Sequence, residues 1–119
     1  MNAQFKRGII ELCVLSMLVE KDSYGYEIIS ELSKFIDVSE NAIYPILRRL
    51  TKDQYFKTYL ESSTEGAARK YYQMTEKGFL YYVELRNQWD EFIGGVYQII
   101  HKGGKNNEEL YRRFKERIE

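Results

Sequence analysis

Asn41, Tyr44, Arg48 and Lys52 are the residues whose types and spacing suit a chemical task. They lie in residues 39–52, SENAIYPILRRLTK. At helical period Ile43, Ile46, Leu47 and Leu50 share one narrow face. Asn41, Pro45, Arg48 and Lys52 share the opposite face, with Tyr44 at its flank. Ser39 suits the N-cap, and Val38 can staple against Ile43. A helix with one dry side and one side of amide, phenol and cations fits a duplex groove. Asn bonds bidentately to adenine and Arg to guanine, while Ser, Lys and Tyr hold phosphates. A plain surface helix with a solvated charged face has the same pattern.

Pro45 lacks an N–H and should strain the second turn. The apolar period runs through it without a phase change, so one continuous helix is expected.

Two helices must position this one. Residues 5–20 are apolar almost all round, which predicts burial on more than one side. Residues 24–36 form a second helix, with Ile28, Ile29, Leu32 and Phe35 toward the core. A break at residues 21–23 and a turn at 37–39 separate the three. A short turn into an amphipathic third helix is the helix-turn-helix layout.

After Gln54 the period changes. Residues 55–61 and 69–74 read as strands, joined by a loop at 62–68 that contains Gly66. A hairpin following a helix-turn-helix is a wing, with Arg69 and Lys70 at the base of its tip. Such cations meet phosphates or a minor groove; a hairpin that only closes the core leaves them solvated.

Thr75 suits the N-cap of a long helix reaching about Lys102. Tyr82, Leu85, Trp89, Phe92, Val96 and Ile99 step by alternating threes and fours, a heptad seam. The seam suits a second subunit or antiparallel packing on the first helix. The first helix, Leu12 included, is apolar enough to serve both. Gly94 and Gly95 interrupt the long helix and allow either close approach or a bend. Residues 102–107 read as a linker, and 108–119 as a short helix with Leu110, Phe114 and Ile118, or as a charged tail.

The expected organisation is α+β, mostly α. Residues 1–74 form a winged helix-turn-helix, 75–102 a dimerisation helix, and 103–119 a linker and terminal segment. With 119 residues the chain suits one domain of ordinary globular composition. Its formal net charge is zero, so any attraction to DNA must be local. Arg48, Arg49, Lys52 and Lys57 against Asp53 supply that patch, and a dimer doubles it.

Catalysis finds little support. One His and one Cys, His101 and Cys13, sit far apart without a recognisable motif. No metal-ligand spacing appears, and no cofactor is expected. Cys13, alone in an apolar run, reads as a small core residue in a reducing compartment. No signal-peptide pattern or apolar span of about 20 residues appears, so a cytoplasmic, membrane-free protein is expected.

Three stretches carry a resemblance. YGYEI at 24–28, AIYPILRRL at 42–50 and RKYYQMTEKG at 69–78 resemble, in sequence and spacing, signatures of the PadR family of bacterial transcriptional regulators. The similarity covers about residues 8–100. It implies a winged helix-turn-helix with a C-terminal dimerisation helix, repressing genes from a palindromic operator. The length resembles the short subfamily with a single C-terminal helix. Tyr44 and Arg48 match recognition-helix positions, Arg69 and Lys70 match wing-base positions, and Pro45 matches the family's own proline.

Trp89 falls where short members that bind flat aromatic drugs place a dimer-interface tryptophan. That implies a small hydrophobic or aromatic effector; Trp89 as a plain seam residue is the alternative. Gln54 departs from the family, which has Gly at this turn. So do Ala67 and Ala68, and residues 103–119 lie beyond the resemblance.

A homodimeric repressor on operator DNA is therefore expected. Ser39, Asn41, Tyr44, Arg48, Lys52, Arg69 and Lys70 are its candidate DNA contacts. The competing expectation, raised by zero net charge and eleven Tyr, is a protein-interaction module that reads no DNA sequence.

Overall fold

The computed structural model describes residues 3–102 and 106–119, with side chains from residue 6 onward. Part of the linker expected at 102–107 therefore lies outside the described residues. The elements run α1 (Ala3–Glu20), β1 (Ser23–Tyr24), α2 (Gly25–Ser33), α3 (Glu40–Lys52), β2 (Phe56–Ser63), β3 (Gly66–Met74), α4 (Glu76–Ile100) and α5 (Asn107–Ile118). Compact packing divides the chain inside α4, into Met1–Arg86 and Asn87–Glu119.

In the first unit α1, α2 and α3 pack on a three-stranded antiparallel sheet of order β1-β3-β2. The core joins Ile10, Val14, Leu15 and Leu18 of α1 to Ile28 of α2 and to the apolar face of α3. Ile43, Ile46, Leu47 and Leu50 are all buried there. At about 1.5–3 kcal/mol per buried side chain, this face anchors α3 and leaves the other side outward.

The N-cap of α3 is Ser39, as expected, in extended conformation. Its carbonyl accepts from Ala42 and Ile43, but its side chain makes no capping hydrogen bond. Pro45 lies inside a helix that continues to Lys52.

Three expectations need correction. Phe35 is 81% exposed rather than in the core. The helix ends at Ser33, and the N–H groups of Phe35 and Ile36 both turn back to the Leu32 carbonyl. That turn brings Ile36 onto the core in its place. The loop expected at 62–68 is largely strand. β2 and β3 pair up to Ser63↔Gly66, with an irregularity between Glu61 and Ser63. The expected break at 21–23 yields instead a third, two-residue strand, pairing Ser23↔Tyr72 and Tyr24↔Tyr71.

α3 ends where the family-like glycine is missing. Gln54 takes a left-handed conformation, φ 66°. The Gln54 N–H reaches the Thr51 carbonyl at 3.0 Å, and the Tyr55 N–H reaches Leu50 at 2.9 Å. These two bonds form a Schellman motif with glutamine at its left-handed position. Thr75 then caps α4: its Oγ1 accepts from Gly78 N at 3.0 Å and donates to the Gln54 carbonyl at 2.8 Å. A Cβ on Gly78 would overlap the Tyr55 carbonyl, so only glycine lets α4 start this close.

In the second unit α4 continues as helix through Gly94 and Gly95, and a Cβ on either would meet open space. Residues 107–118 form a helix rather than a tail. Asn106 caps it, accepting from Glu109 N at 2.8 Å. Leu110, Phe114 and Ile118 are exposed along it.

Candidate nucleic-acid interface

The outer face of α3 carries Asn41, Pro45, Arg48 and Lys52, all exposed. Among the described residues no carboxylate pairs with Arg48 or Lys52. Arg49 differs. Its guanidinium meets the Glu11 carboxylate of α1 at 2.9 Å. Glu11 is a buried carboxylate, and it also accepts from the Tyr81 hydroxyl at 3.1 Å.

One acid thus ties α1, α3 and α4 together. Its hydrogen bond holds the Arg49 guanidinium above its ordinary pKa. Burial, then the Glu11 charge, pushes the Tyr81 phenol up to about 12. Tyr81 also stacks on Tyr55 at 4.2 Å. Arg49 therefore fixes the helix and is spent as a mobile cation. It thus leaves the basic patch expected from Arg48, Arg49, Lys52 and Lys57.

Tyr44 is half-buried, not fully presented. A Cβ on Gly25 would come within 2.7 Å of its ring and hydroxyl. Gly25 makes the room in which Tyr44 lies, so the YGYEI and AIYPI stretches interlock.

The wing divides its two cations between faces. Tyr72 is in the core, and Lys70, two residues earlier, shares its side of β3 with the ammonium 5.7 Å from the Tyr72 ring. Tyr72's phenol is raised mainly by burial, further by Tyr44, and lowered by Arg48. Tyr44 and Arg48 thus lie near enough to act on the Tyr72 phenol.

Arg69 points to the other sheet face. Its guanidinium lies 4.6 Å from the Tyr24 ring and 3.6 Å from Glu65. Tyr71 packs there on Tyr24 and stacks on Tyr59, whose hydroxyl donates to Asp22 at 2.7 Å. The structure places Lys70 on the sheet face of the buried Tyr72, and Arg69 with the tyrosines of the other face.

Sequence reading missed a groove of about 520 Å³ between the start of α1 and α3. Lys6, Arg7 and Ile10 line one side, and Asn41, Pro45 and Arg49 are among the residues on the other. Lys6 and Arg7 precede the apolar run of α1 and point at nothing in the sequence. Only their place beside α3 reveals them.

The sequence pattern of the transcriptional regulator PadR-like family matches residues 14–84. The chain belongs to that family. The family's proteins are transcriptional regulators, not enzymes, and this chain is a DNA-binding regulator at that level. A PadR-like transcriptional regulator from Bacillus cereus is 34% identical, with TM-score 0.74, covering 82% of this chain and 97% of its own. A PadR family transcription regulator from Clostridium difficile is 31% identical, with TM-score 0.66, covering 76% of this chain and 96% of its own. An uncharacterised protein of Lysinibacillus sphaericus is 35% identical over 89 residues, 71% of this chain and 82% of that protein. The three-stranded sheet with its helices and long C-terminal helix matches the PadR winged-helix structures.

The expected seam residues differ in what they have left to offer. Tyr82 is buried in its own core, and Leu85 packs partly against it. Leu12 is half-buried. In the second unit Trp89 and Val96 are half-buried, while Phe92 and Ile99 are 58% and 76% exposed. Cys13 is half-buried, and burial pushes its thiol above its ordinary pKa. His101 stacks on Tyr97 at 4.2 Å. Among the described residues no group of His, Cys, Asp or Glu is placed to hold a metal ion. None of the described helices is long and apolar enough to cross a membrane.

Proposed function

We propose that this PadR-like protein is a homodimeric, sequence-specific repressor acting in the cytoplasm on a palindromic operator. The observation that carries the reading is the outer face of α3. Its apolar residues are buried, its Arg49 is tied to Glu11, and Arg48 and Lys52 remain exposed without a carboxylate partner among the described residues. A guanidinium and an amide on one outward helix face match the edges of guanine and adenine in the major groove. Arg48 and Asn41 read bases. Ser39, Lys52 and Lys70 hold backbone, with Tyr44 at the edge of the contact. Arg69 reaches phosphate only by leaving Tyr24.

Dimerisation draws support from α4. Phe92 and Ile99 follow the heptad spacing and are exposed in a single chain. Two copies related by a two-fold axis present two reading helices to two half-sites an integral number of turns apart. An aromatic effector beside Trp89 belongs to the same reading, and quenching of Trp89 fluorescence on titration checks it.

Arg48→Ala tests the carrying observation. Loss of one bidentate base contact should weaken binding to a preferred duplex by roughly 1–3 kcal/mol and relax the preference at that base. Unchanged affinity in a gel-shift titration removes Arg48 from the reading.

A further inference from the structure

The first unit uses several of its cations internally. Lys21 pairs with Glu27, Lys34 with Glu31 and Arg49 with Glu11. Lys77 donates to the Asp53 carbonyl, and Arg69 lies between Tyr24 and Glu65. Lys6 and Arg7 are exposed, and among the described residues neither has a carboxylate partner. They sit across a groove from Asn41 and Pro45, which belong to the outward face of α3.

The floor of this groove is apolar, with Ile10 and Ile46 buried beneath it. Its far wall is chemically polar as well. Asn41 is one of its lining residues. Arg49, held by Glu11, forms part of the wall.

We infer that Lys6 and Arg7 are DNA-backbone contacts, and that the groove between α1 and α3 admits the sugar–phosphate strand flanking the major groove read by α3. The inference rests on the DNA-reading role proposed for α3. The chemistry of the occupant follows from the lining: two adjacent cations without carboxylate partners suit an anion, and an apolar floor accepts deoxyribose carbons. A duplex that brings base edges to Asn41 brings its own backbone alongside, so the phosphates arrive with the helix. Such contacts add affinity and orientation without sequence information.

The test is the salt dependence of duplex binding by the full chain and by a Lys6→Ala, Arg7→Ala double variant. Each phosphate neutralised contributes about 0.9 to the slope of log K against log salt. Removing two contacts per protomer, four per bound dimer, should make the slope shallower by about 3.6. Between 50 and 200 mM salt the wild-type dimer should therefore lose on the order of a hundredfold more affinity than the variant. The ratio of affinities for a preferred and a scrambled duplex should stay unchanged.

An unchanged slope overturns the inference. So does a variant that keeps its slope and loses only sequence preference. A wild type with no sequence preference and no salt dependence contradicts the α3 reading itself. That outcome is distinct from failure of Lys6 and Arg7 alone.

Discussion

Gln54 holds the turn from α3 into the wing at φ 66°, a conformation that suits glycine. A non-glycine residue there carries about 1–2 kcal/mol of steric cost, partly offset because glycine loses more freedom on folding. Gln54→Gly should raise stability by about 1 kcal/mol, read from the urea midpoint; a lower midpoint would mean the Gln54 side chain stabilises the turn. The departure from the family pattern was legible at this position, but its outcome was not. Only the two hydrogen bonds closing the motif show that the turn is kept.

Glu11 shows the opposite case. In sequence it merely interrupts an apolar run. Its partners Arg49 and Tyr81 belong to two later helices, so nothing local announced it. Tyr81 offers a pH test. Its phenol is pushed up to about 12 in the fold, against about 10 when unfolded. A raised pKa gives stability that is full below pH 10 and is lost as pH rises through about 12. Tyr81→Phe should lessen this alkaline loss in melts between those values, leaving the share of the raised Tyr59 and Tyr72 phenols; an unchanged profile would place the alkaline transition elsewhere.

At the scale of elements, α3 was the most legible part of the chain. Its apolar spacing fixes which side is buried, and Pro45 does not end it because the buried face dominates. α2 was less legible. Its last turn tightens at Leu32, so the i+3 and i+4 positions exchange roles and Phe35 faces solvent. The wing was visible as a hairpin. Its tip is shorter than expected: Gly66, Ala67 and Ala68 have weak strand propensity, which pairing with β2 overrides.

The split of Arg69 from Lys70 follows from strand alternation alone. Which of the two shares the core face of Tyr72 depends on tertiary packing and was not available from sequence. For α4 the spacing was legible, but its six seam residues are not equivalent. Tyr82 and Leu85 serve the protomer's own core. Leu85→Asp therefore confounds folding with association, and Phe92→Asp is the cleaner variant. Phe92→Asp should sediment as a monomer with its helical circular dichroism retained. A persistent dimer would take the seam off Phe92.

At the scale of the molecule, zero net charge gives no general attraction to a polyanion. Local pairing decides which cations are available. Among the described residues Lys21, Lys34 and Arg49 are matched by acids, while Lys6, Arg7, Arg48 and Lys52 have no carboxylate partner. Composition cannot show this, since matching depends on tertiary neighbours. The eleven tyrosines are equally ambiguous in sequence. Tyr72 and Tyr82 are buried, Tyr55 stacks on Tyr81, and Tyr71 packs between Tyr24 and Tyr59. Much of the tyrosine surface is thus used inside the chain, which weakens the case for a tyrosine-lined protein-docking face.

The most direct test of α3 as a sequence reader in a two-fold dimer is selection of bound duplexes from a random DNA pool at near-physiological salt. The account predicts recovery of an inverted repeat whose half-sites lie an integral number of helical turns apart. Recovery of duplexes with no shared motif, bound equally well by wild type and Arg48→Ala, would contradict it.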